Sequence, residues 1–120
     1  MCRMVQYKNG RDVAEIKYHH IENITRLAKN CKNISRIVLF GSSLEHRCTD
    51  RSDIDIAVFG DQTKGKYLKS KEFKDFQRQI FLYDMNQDYD ILYFTDGKKG
   101  NDLIMQDISA GLEIYRRESA

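Results

Sequence analysis

Two strand-like segments flanking a glycine–serine turn and a polar loop, at residues 39–58, constrain the fold more than any other feature. Side chains along a strand alternate between its two faces, so Asp53, Asp55 and Ala57 are predicted to share one face of the second segment. The isoleucine and valine residues that alternate with them occupy the other face. The sequence therefore places two carboxylates side by side at the start of an otherwise apolar strand.

The crowding of these two carboxylates indicates a bound cation. Like charges this close repel each other, and one group would take up a proton unless a cation lay between them. A divalent metal ion is the simplest such cation, and hard oxygen ligands favour magnesium, with manganese as the alternative. We therefore expect Asp53 and Asp55 to be metal ligands.

A third carboxylate is expected on the later strand predicted at residues 88–94. Asp90 lies inside that strand, where a charged side chain needs a reason, whereas Asp88 shares its face but stands at the entrance, where water can solvate it. We favour Asp90 and retain Asp88 as the competing candidate. If the two strands are neighbours, the three carboxylates can hold two metal ions roughly 3.5–4 Å apart, an arrangement that phosphoryl and nucleotidyl transfer require.

The turn at Gly41 and Ser42 is suited to binding phosphate. Glycine lets the backbone approach a phosphate closely, and the amides and hydroxyls of Ser42 and Ser43 would point at the anion if a short helix begins there. Basic residues in the connecting loop or beyond the second strand would neutralise a triphosphate. The candidates, which the sequence does not rank, are Arg47, Arg51, Lys64 and Lys66.

Length and charge limit the range of functions. A chain of 120 residues is predicted to form one domain over 1–120, with residues 1–10 as either a short edge strand or a loose arm. The 20 basic and 18 acidic residues leave a net charge of +2, so no global field indicates direct nucleic-acid or membrane binding. We expect neither kind of partner.

Three cysteines at irregular spacing, Cys2, Cys31 and Cys48, bear on the compartment. An odd number without paired spacing predicts reduced thiols, no zinc site and a cytoplasmic location. The longest apolar stretch, at residues 37–40, is far shorter than the roughly 18 residues that a membrane span needs. A soluble protein is the expectation.

Apolar spacing predicts alternating helices and strands. An amphipathic helix is expected to begin at Asp12 and to continue to Cys31, followed by a buried strand over residues 34–40. After the second strand, the polar, glycine-broken segment 60–69 is expected to form a mobile loop. The alternation predicts an α/β (α+β) domain with a mixed β-sheet flanked by helices.

Two further helices complete the predicted elements. Ser70 is expected to cap the first. The apolar face of that helix is predicted to contain Phe73, Phe76, Ile80 and Phe81. Asn101 is expected to cap the second, a short helix that precedes a terminal strand at residues 112–115. The side chains predicted to point inward from it are Leu103, Ile104 and Ile108.

The spacing of these motifs resembles a known family signature. The pattern consists of Gly41-Ser42, then ten residues, then Asp53-Ile54-Asp55 followed by apolar residues. It is similar to the signature of the polymerase-β-like nucleotidyltransferases, specifically the minimal nucleotidyltransferases of the MntA-like antitoxin type. Many members carry a basic residue directly after the glycine–serine pair. This chain has Ser43 there, which predicts weaker triphosphate binding or reliance on Arg47.

The resemblance implies a fold and a reaction. The fold would be that of polymerase-β-like nucleotidyltransferases, and the reaction would be attack of an acceptor hydroxyl on the α-phosphate of a nucleoside triphosphate, most simply ATP. By this resemblance Asp53 and Asp55 would bind two Mg²⁺ or Mn²⁺ ions, and Asp90 would bind the catalytic one and help to draw the proton from the hydroxyl.

The acceptor is left open between three accounts. Minimal nucleotidyltransferases of this kind resemble the antitoxin half of two-protein modules whose partner is a helical HEPN-type ribonuclease toxin, which implies adenylylation of a toxin tyrosine. A second account is a transferase acting on a small hydroxylated molecule such as an aminoglycoside, with its pocket completed by a homodimer. The third is an antitoxin subunit that neutralises its partner by binding alone.

Overall fold

A computed structural model describes residues 1–8, 10–97 and 103–118 of the chain. The strands are β1 (Met4–Gln6), β2 (Asp12–Ala14), β3 (Ile34–Phe40), β4 (Ile54–Gly60), β5 (Tyr89–Thr95) and β6 (Leu112–Arg116). The α-helices are α1 (Tyr18–Ala28), α2 (Lys64–Leu68), α3 (Lys71–Tyr83) and α4 (Leu103–Ser109). Short 3₁₀ helices at Glu15–Lys17 and Gly41–Leu44 precede α1 and follow β3.

Four strands form one mixed sheet in the order β5-β4-β3-β6. β4 runs parallel to β5, and β3 runs antiparallel to both of its neighbours, β4 and β6. β1 and β2 form a separate antiparallel pair. The predicted mixed sheet flanked by helices is confirmed, and β5 forms one edge of it.

The two central strands, β3 and β4, are apolar because both of their faces are covered. On one face, side chains such as Ile56 pack with the buried stripes of α1 and α3 in the larger hydrophobic cluster. On the other face, a smaller cluster unites Val38, Ala57 and Phe59 with Ile108 of α4. We call this second side the α4 face of the sheet.

The helix that returns the chain across the sheet, α3, begins where the sequence predicts. The Ser70 side chain accepts a hydrogen bond from the Phe73 backbone N–H at 3.1 Å, which satisfies one of the free donors of the first turn. Phe73, Phe76 and Ile80 are buried as expected, but Phe81 is 38% exposed because it lies at the margin of the apolar stripe.

The start of the chain differs from its prediction. Residues 12–14 do not open a helix but form β2, which pairs with β1 so that Val5 lies opposite Val13. Pairing satisfies the backbone groups of both segments and buries Val13 completely, which a helical start at Asp12 would not do. Of the two alternatives for residues 1–10, the short strand is the one observed.

The segment predicted as a mobile loop contains the helix α2. Thr63 caps it by accepting a hydrogen bond from the Lys66 N–H, and Tyr67 is fully buried against Tyr93 and Phe73. The prediction of a mobile loop is therefore wrong for residues 64–68. One buried tyrosine anchors five residues whose other side chains are polar or exposed.

The last helix, α4, also differs from its prediction. Ile108 is buried, whereas Leu103 is 79% exposed and Ile104 is 36% exposed, because Ile108 and Met105 are the side chains of this helix that pack against the sheet. The predicted cap, Asn101, lies outside the described residues. No helix in the described ranges has the length and apolar character needed to cross a membrane, and the three cysteines are free thiols.

Candidate active site

Asp55 and Asp90 occupy matching positions on neighbouring parallel strands, since the register places them opposite each other. The residues two and four positions further along each strand point to the same face and pack together in the cluster beneath α4. Both carboxylates therefore lie on the α4 face, at the end of the sheet where β4 and β5 begin. Asp53 directly precedes β4, and its charge contributes to the environment of Asp55.

The glycine turn after β3 lies directly against Asp55. Gly41 has a φ of +79°, a conformation that side chains disfavour, and it begins the 3₁₀ helix Gly41–Leu44. A Cβ at Gly41 would overlap the Oδ2 atom of Asp55 and lie 3.3 Å from its Cγ. Antiparallel pairing explains this closeness, because Phe40 at the end of β3 lies opposite Asp55. The absence of a side chain at Gly41 thus leaves room for the carboxylate.

The pKa of Asp55 is raised to about 6, first by burial and then by the charges of Asp90 and Asp53. Arg47 opposes this shift weakly. No ion pair joins any of the three carboxylates to a cation among residues 1–8, 10–97 and 103–118. The protein therefore concentrates negative charge here without supplying a paired positive charge.

Two arginines in the loop between the turn and β4 are exposed. The guanidinium of Arg47 pairs with Glu45, and its charge acts on Asp55, which places it near the carboxylates. Arg51 belongs to the turn just before Asp53, where its backbone N–H donates to Thr49. The structure therefore places Arg47 near the carboxylates and Arg51 in the turn that precedes them.

Two of the residues predicted to bind the triphosphate are placed elsewhere. Ser43 is fully buried, and its hydroxyl has no hydrogen-bond partner in the described part of the chain, so it does not face a ligand in this conformation. Lys64 begins α2, beyond the end of β4, and Gly60 lies five residue steps along β4 from Asp55. At about 3.3 Å per residue this is about 17 Å, so Lys64 lies at the opposite end of the sheet.

The sequence of residues 22–120 matches the model of the polymerase beta nucleotidyltransferase family. The chain belongs to this family. The resemblance seen in the Gly-Ser and Asp-x-Asp motifs is thereby confirmed, and the chain carries a nucleotidyltransferase domain. Members of the family generally use divalent metal ions and nucleoside triphosphates.

One solved structure supports the same fold, and a second gives a weaker match. The chain is similar to a crystal structure of the toxin–antitoxin pair MntA-HpeT in a mutant form, with a TM-score of 0.55 and 19% identity over 82% of this chain and 74% of that one. A protein assigned as a nucleotidyltransferase from Sulfolobus solfataricus gives a TM-score of 0.44 and 16% identity, over 87% and 90% of the two chains. No curated protein sequence matches the chain. The first similarity confirms the polymerase-β-like fold class.

The family's metal ions can be tested against the residues present. No three His, Cys, Asp or Glu side chains within the described ranges already converge as a closed metal cluster. The donors are nevertheless carboxylate oxygens, which suit Mg²⁺ and Mn²⁺, and the raised pKa of Asp55 shows that a positive charge would be stabilising there. The donor chemistry of Asp53, Asp55 and Asp90 thus suits such ions, and the register places Asp55 beside Asp90.

Sequence reasoning missed two polar residues buried behind the carboxylates, Lys17 and Gln87. A signal for Lys17 existed, because it follows Val13 and precedes Ile21 by four residues each and so falls on the apolar stripe. A lysine at such a position must be buried or break the stripe. Gln87, in the turn before β5, carried no comparable signal.

Proposed function

We propose that the chain is a metal-dependent nucleotidyltransferase that transfers AMP from ATP to a tyrosine hydroxyl of a HEPN-type toxin and thereby acts as the antitoxin. The observation that carries the proposal is the contact of the Gly41 turn with Asp55, opposite Asp90 on the next strand. It brings a phosphate-binding element and paired carboxylates together at one end of the sheet. Family membership supports the type of reaction.

In the proposed reaction, the acceptor oxygen forms a bond to the α-phosphorus of ATP while the bond from that phosphorus to the bridging oxygen of the β-phosphate breaks. Pyrophosphate leaves, and AMP remains on the acceptor as a phosphodiester. Asp90 accepts the proton of the hydroxyl and passes it to solvent. It is suited to this role because it is exposed on the edge strand, where an acceptor can approach.

Different residues would bind different parts of the substrate. Asp53 and Asp55 would hold two Mg²⁺ or Mn²⁺ ions together with Asp90, and such ions supply charge stabilisation for the attacking and leaving oxygens. The backbone of Gly41 and Ser42 would bind the outer phosphates. Arg47 and Arg51 would compensate the remaining charge of the triphosphate, which Lys64 does not reach in this conformation.

The choice of a protein acceptor is supported by two observations. The structurally similar MntA belongs to a toxin–antitoxin pair. Asp90 is also exposed on the edge strand β5, so the described part of the chain does not enclose it. A partner that brings its own hydroxyl would complete the site, whereas a small molecule would need an enclosing pocket.

The test combines the chain, a HEPN-type partner encoded beside it, ATP and Mg²⁺, and measures the intact masses of both proteins. The partner should gain one adenylyl group, and a peptide map should locate it on tyrosine. Asp53→Asn should abolish the gain, and the matched control Asp107→Asn, on the exposed surface of α4, should not. An unchanged partner mass in a protected complex would instead support neutralisation by binding alone.

A second comparison tests the role of Asp90 against its competitor. Asp90→Asn should lower the transfer rate by about 10³-fold, since it removes a ligand and the proton acceptor together. Asp88→Asn should change the rate by less than about threefold, because Asp88 is exposed before the strand begins. The opposite order of effects would reassign the third carboxylate. Transfer to an aminoglycoside without any partner would overturn the choice of acceptor.

A further inference from the structure

Lys17 is the one lysine or arginine buried in the described part of the chain, with only 1% of its surface exposed. Its ammonium group has three N–H donors, and all three find an oxygen. Nζ donates to the backbone carbonyls of Asp50 at 3.2 Å and Ser52 at 2.7 Å, and to Oε1 of Gln87 at 2.6 Å. The ammonium is therefore fully hydrogen-bonded without an ion pair to a carboxylate.

These acceptors lie immediately before the two acidic strands. Ser52 directly precedes Asp53, and Gln87 lies two residues before β5. The Gln87 amide nitrogen also donates to the carbonyls of Ser52 at 3.0 Å and of Asp88 at 2.7 Å. One buried network thus ties the last turn before β4 to the last turn before β5.

The same network supports the first backbone link between the strands. The Ile54 N–H donates to the Asp88 carbonyl at 3.1 Å, and that carbonyl is the one that Gln87 also binds. From this link onward the register places Asp55 opposite Asp90. Movement at this entrance would shift the spacing of the carboxylates before it affected the far end of either strand.

Burying an ammonium group to join two turns costs free energy. Removing a charge from water costs several kcal/mol, and an apolar or neutral side chain of similar volume would often be no less stable. Burial lowers the pKa of Lys17, while the nearby Asp50 and Asp53 raise it. Its three hydrogen bonds join the turns before two strands that carry acidic residues, which gives the ammonium a use in fixing the spacing of those strands.

We propose that Lys17, acting through Gln87, is a positioning residue for nucleotidyl transfer: it holds the entrances of β4 and β5 together, so that Asp55 stays in place opposite Asp90. This inference rests on the proposed function for its benefit to catalysis. Its structural part concerns only the entrance of the two strands and can be measured without metal or substrate.

The first test is amide hydrogen exchange in Lys17→Met, with the exposed Lys74→Met on α3 as the matched control. Ile54 reports the entrance, and the Asp96 amide, which donates to the Gly60 carbonyl at 2.9 Å, reports the far end. Exchange at Ile54 should accelerate at least tenfold relative to Asp96 in Lys17→Met and remain unchanged in the control. Equal acceleration at both amides, or none, would overturn the inference.

The second test measures Mn²⁺ binding by water-proton relaxation and the kinetics of transfer. Lys17→Met should bind Mn²⁺ at least tenfold more weakly, and its kcat should fall by a larger factor than its KM for ATP rises. A merely structural lysine would lower the melting temperature and leave the Mn²⁺ affinity of the folded protein unchanged. That result would refute the positioning role.

Two further outcomes of these experiments can arise. If Lys17→Met does not fold, Gln87→Met removes the link to β5 but leaves the Lys17 ammonium bound to the carbonyls of Asp50 and Ser52. The same difference in amide exchange between Ile54 and Asp96 is then expected. If the wild-type chain transfers no nucleotide, the proposed function fails, whereas the exchange measurement still decides whether Lys17 controls the strand entrance.

Discussion

The two ends of β4 carry acidic side chains in opposite circumstances. At the far end, Asp61 receives two hydrogen bonds from Arg117, at 2.8 and 3.1 Å, and Asp96 receives one from the Ser35 hydroxyl at 2.6 Å. The hydrogen bonds from Arg117 lower the pKa of Asp61. At the near end, Asp55 has no such partner and its pKa is raised to about 6.

We propose that this difference separates carboxylates that serve the fold from carboxylates that serve a ligand. Asp61 is stabilised as an anion by the protein itself, so it ties the C-terminal segment to the sheet. Asp55 is destabilised as an anion by burial and by Asp90, so its charge needs a cation from outside. A carboxyl group with a raised pKa next to a glycine turn indicates a functional site more reliably than the presence of an acidic residue alone.

The strongest challenge to the comparison is Asp55→Asn. Transfer should fall by about 10³-fold, since a ligand to the metal ions is lost. Stability above pH 6 should not fall, because the folded state disfavours the Asp55 anion and asparagine removes that penalty. Intact-mass assays and urea unfolding at pH 8 measure the two effects. A large loss of stability with unchanged activity would place Asp55 with Asp61 as a structural carboxylate.

Gly41→Ala should have the next largest effect. A methyl group would collide with Asp55 Oδ2, and the positive φ would be strained, so transfer should fall by about 10²-fold with a loss of stability. Gly65→Ala on α2 is the matched control. Nothing lies within 4 Å of the Cβ that it would add, so stability should rise by about 0.5–1 kcal/mol with transfer unchanged. Thermal melts and rate assays of both variants decide this.

A smaller effect should appear in the pH dependence of stability. His20 is buried beside the Tyr89 hydroxyl, and burial lowers its pKa from 6.5 to about 4. The unfolded chain therefore binds the proton more readily, and stability is lost as the pH falls from about 6.5 toward 4. Urea midpoints between pH 7 and 4 should fall less steeply in His20→Gln. Parallel curves would show that this histidine does not contribute.

The smallest effect is expected at the far end. Asp61→Asn should lower the free energy of unfolding by less than about 1 kcal/mol, because the pair with Arg117 is half exposed and screened by salt. Transfer should be unaffected. A rate loss comparable with that of Asp55→Asn would mean that the two ends of β4 are coupled and that the contrast between them is not functional.

Most of the fold followed from local patterns. The β-branched run of β3, the Ser70 cap and the apolar stripe of α3 are visible in short windows because each depends on neighbours within four residues. Predictions failed where distant partners decided the outcome. Residues 12–14 became a strand because β1 was available to pair with them, and α2 formed because Tyr67 could be buried against Tyr93.

The candidate site divides in the same way. The strand that carries Asp55 and the glycine turn could be derived from spacing, and Asp90 from a charge placed inside a strand. The burial of Ser43 and the distance of Lys64 could not, because they depend on where the 3₁₀ turn and α2 pack. Buried Lys17 was indicated only by its place on an apolar stripe.

The sequence by itself determined which residues alternate on each strand, where the chain turns and which family it resembles, since these depend on residue type and spacing alone. Only the tertiary structure decided that β4 and β5 are adjacent and parallel, with Asp55 level with Asp90 and the Gly41 turn against it. Strand order and register are set by packing between residues far apart in the chain, and no local pattern encodes the distance between them.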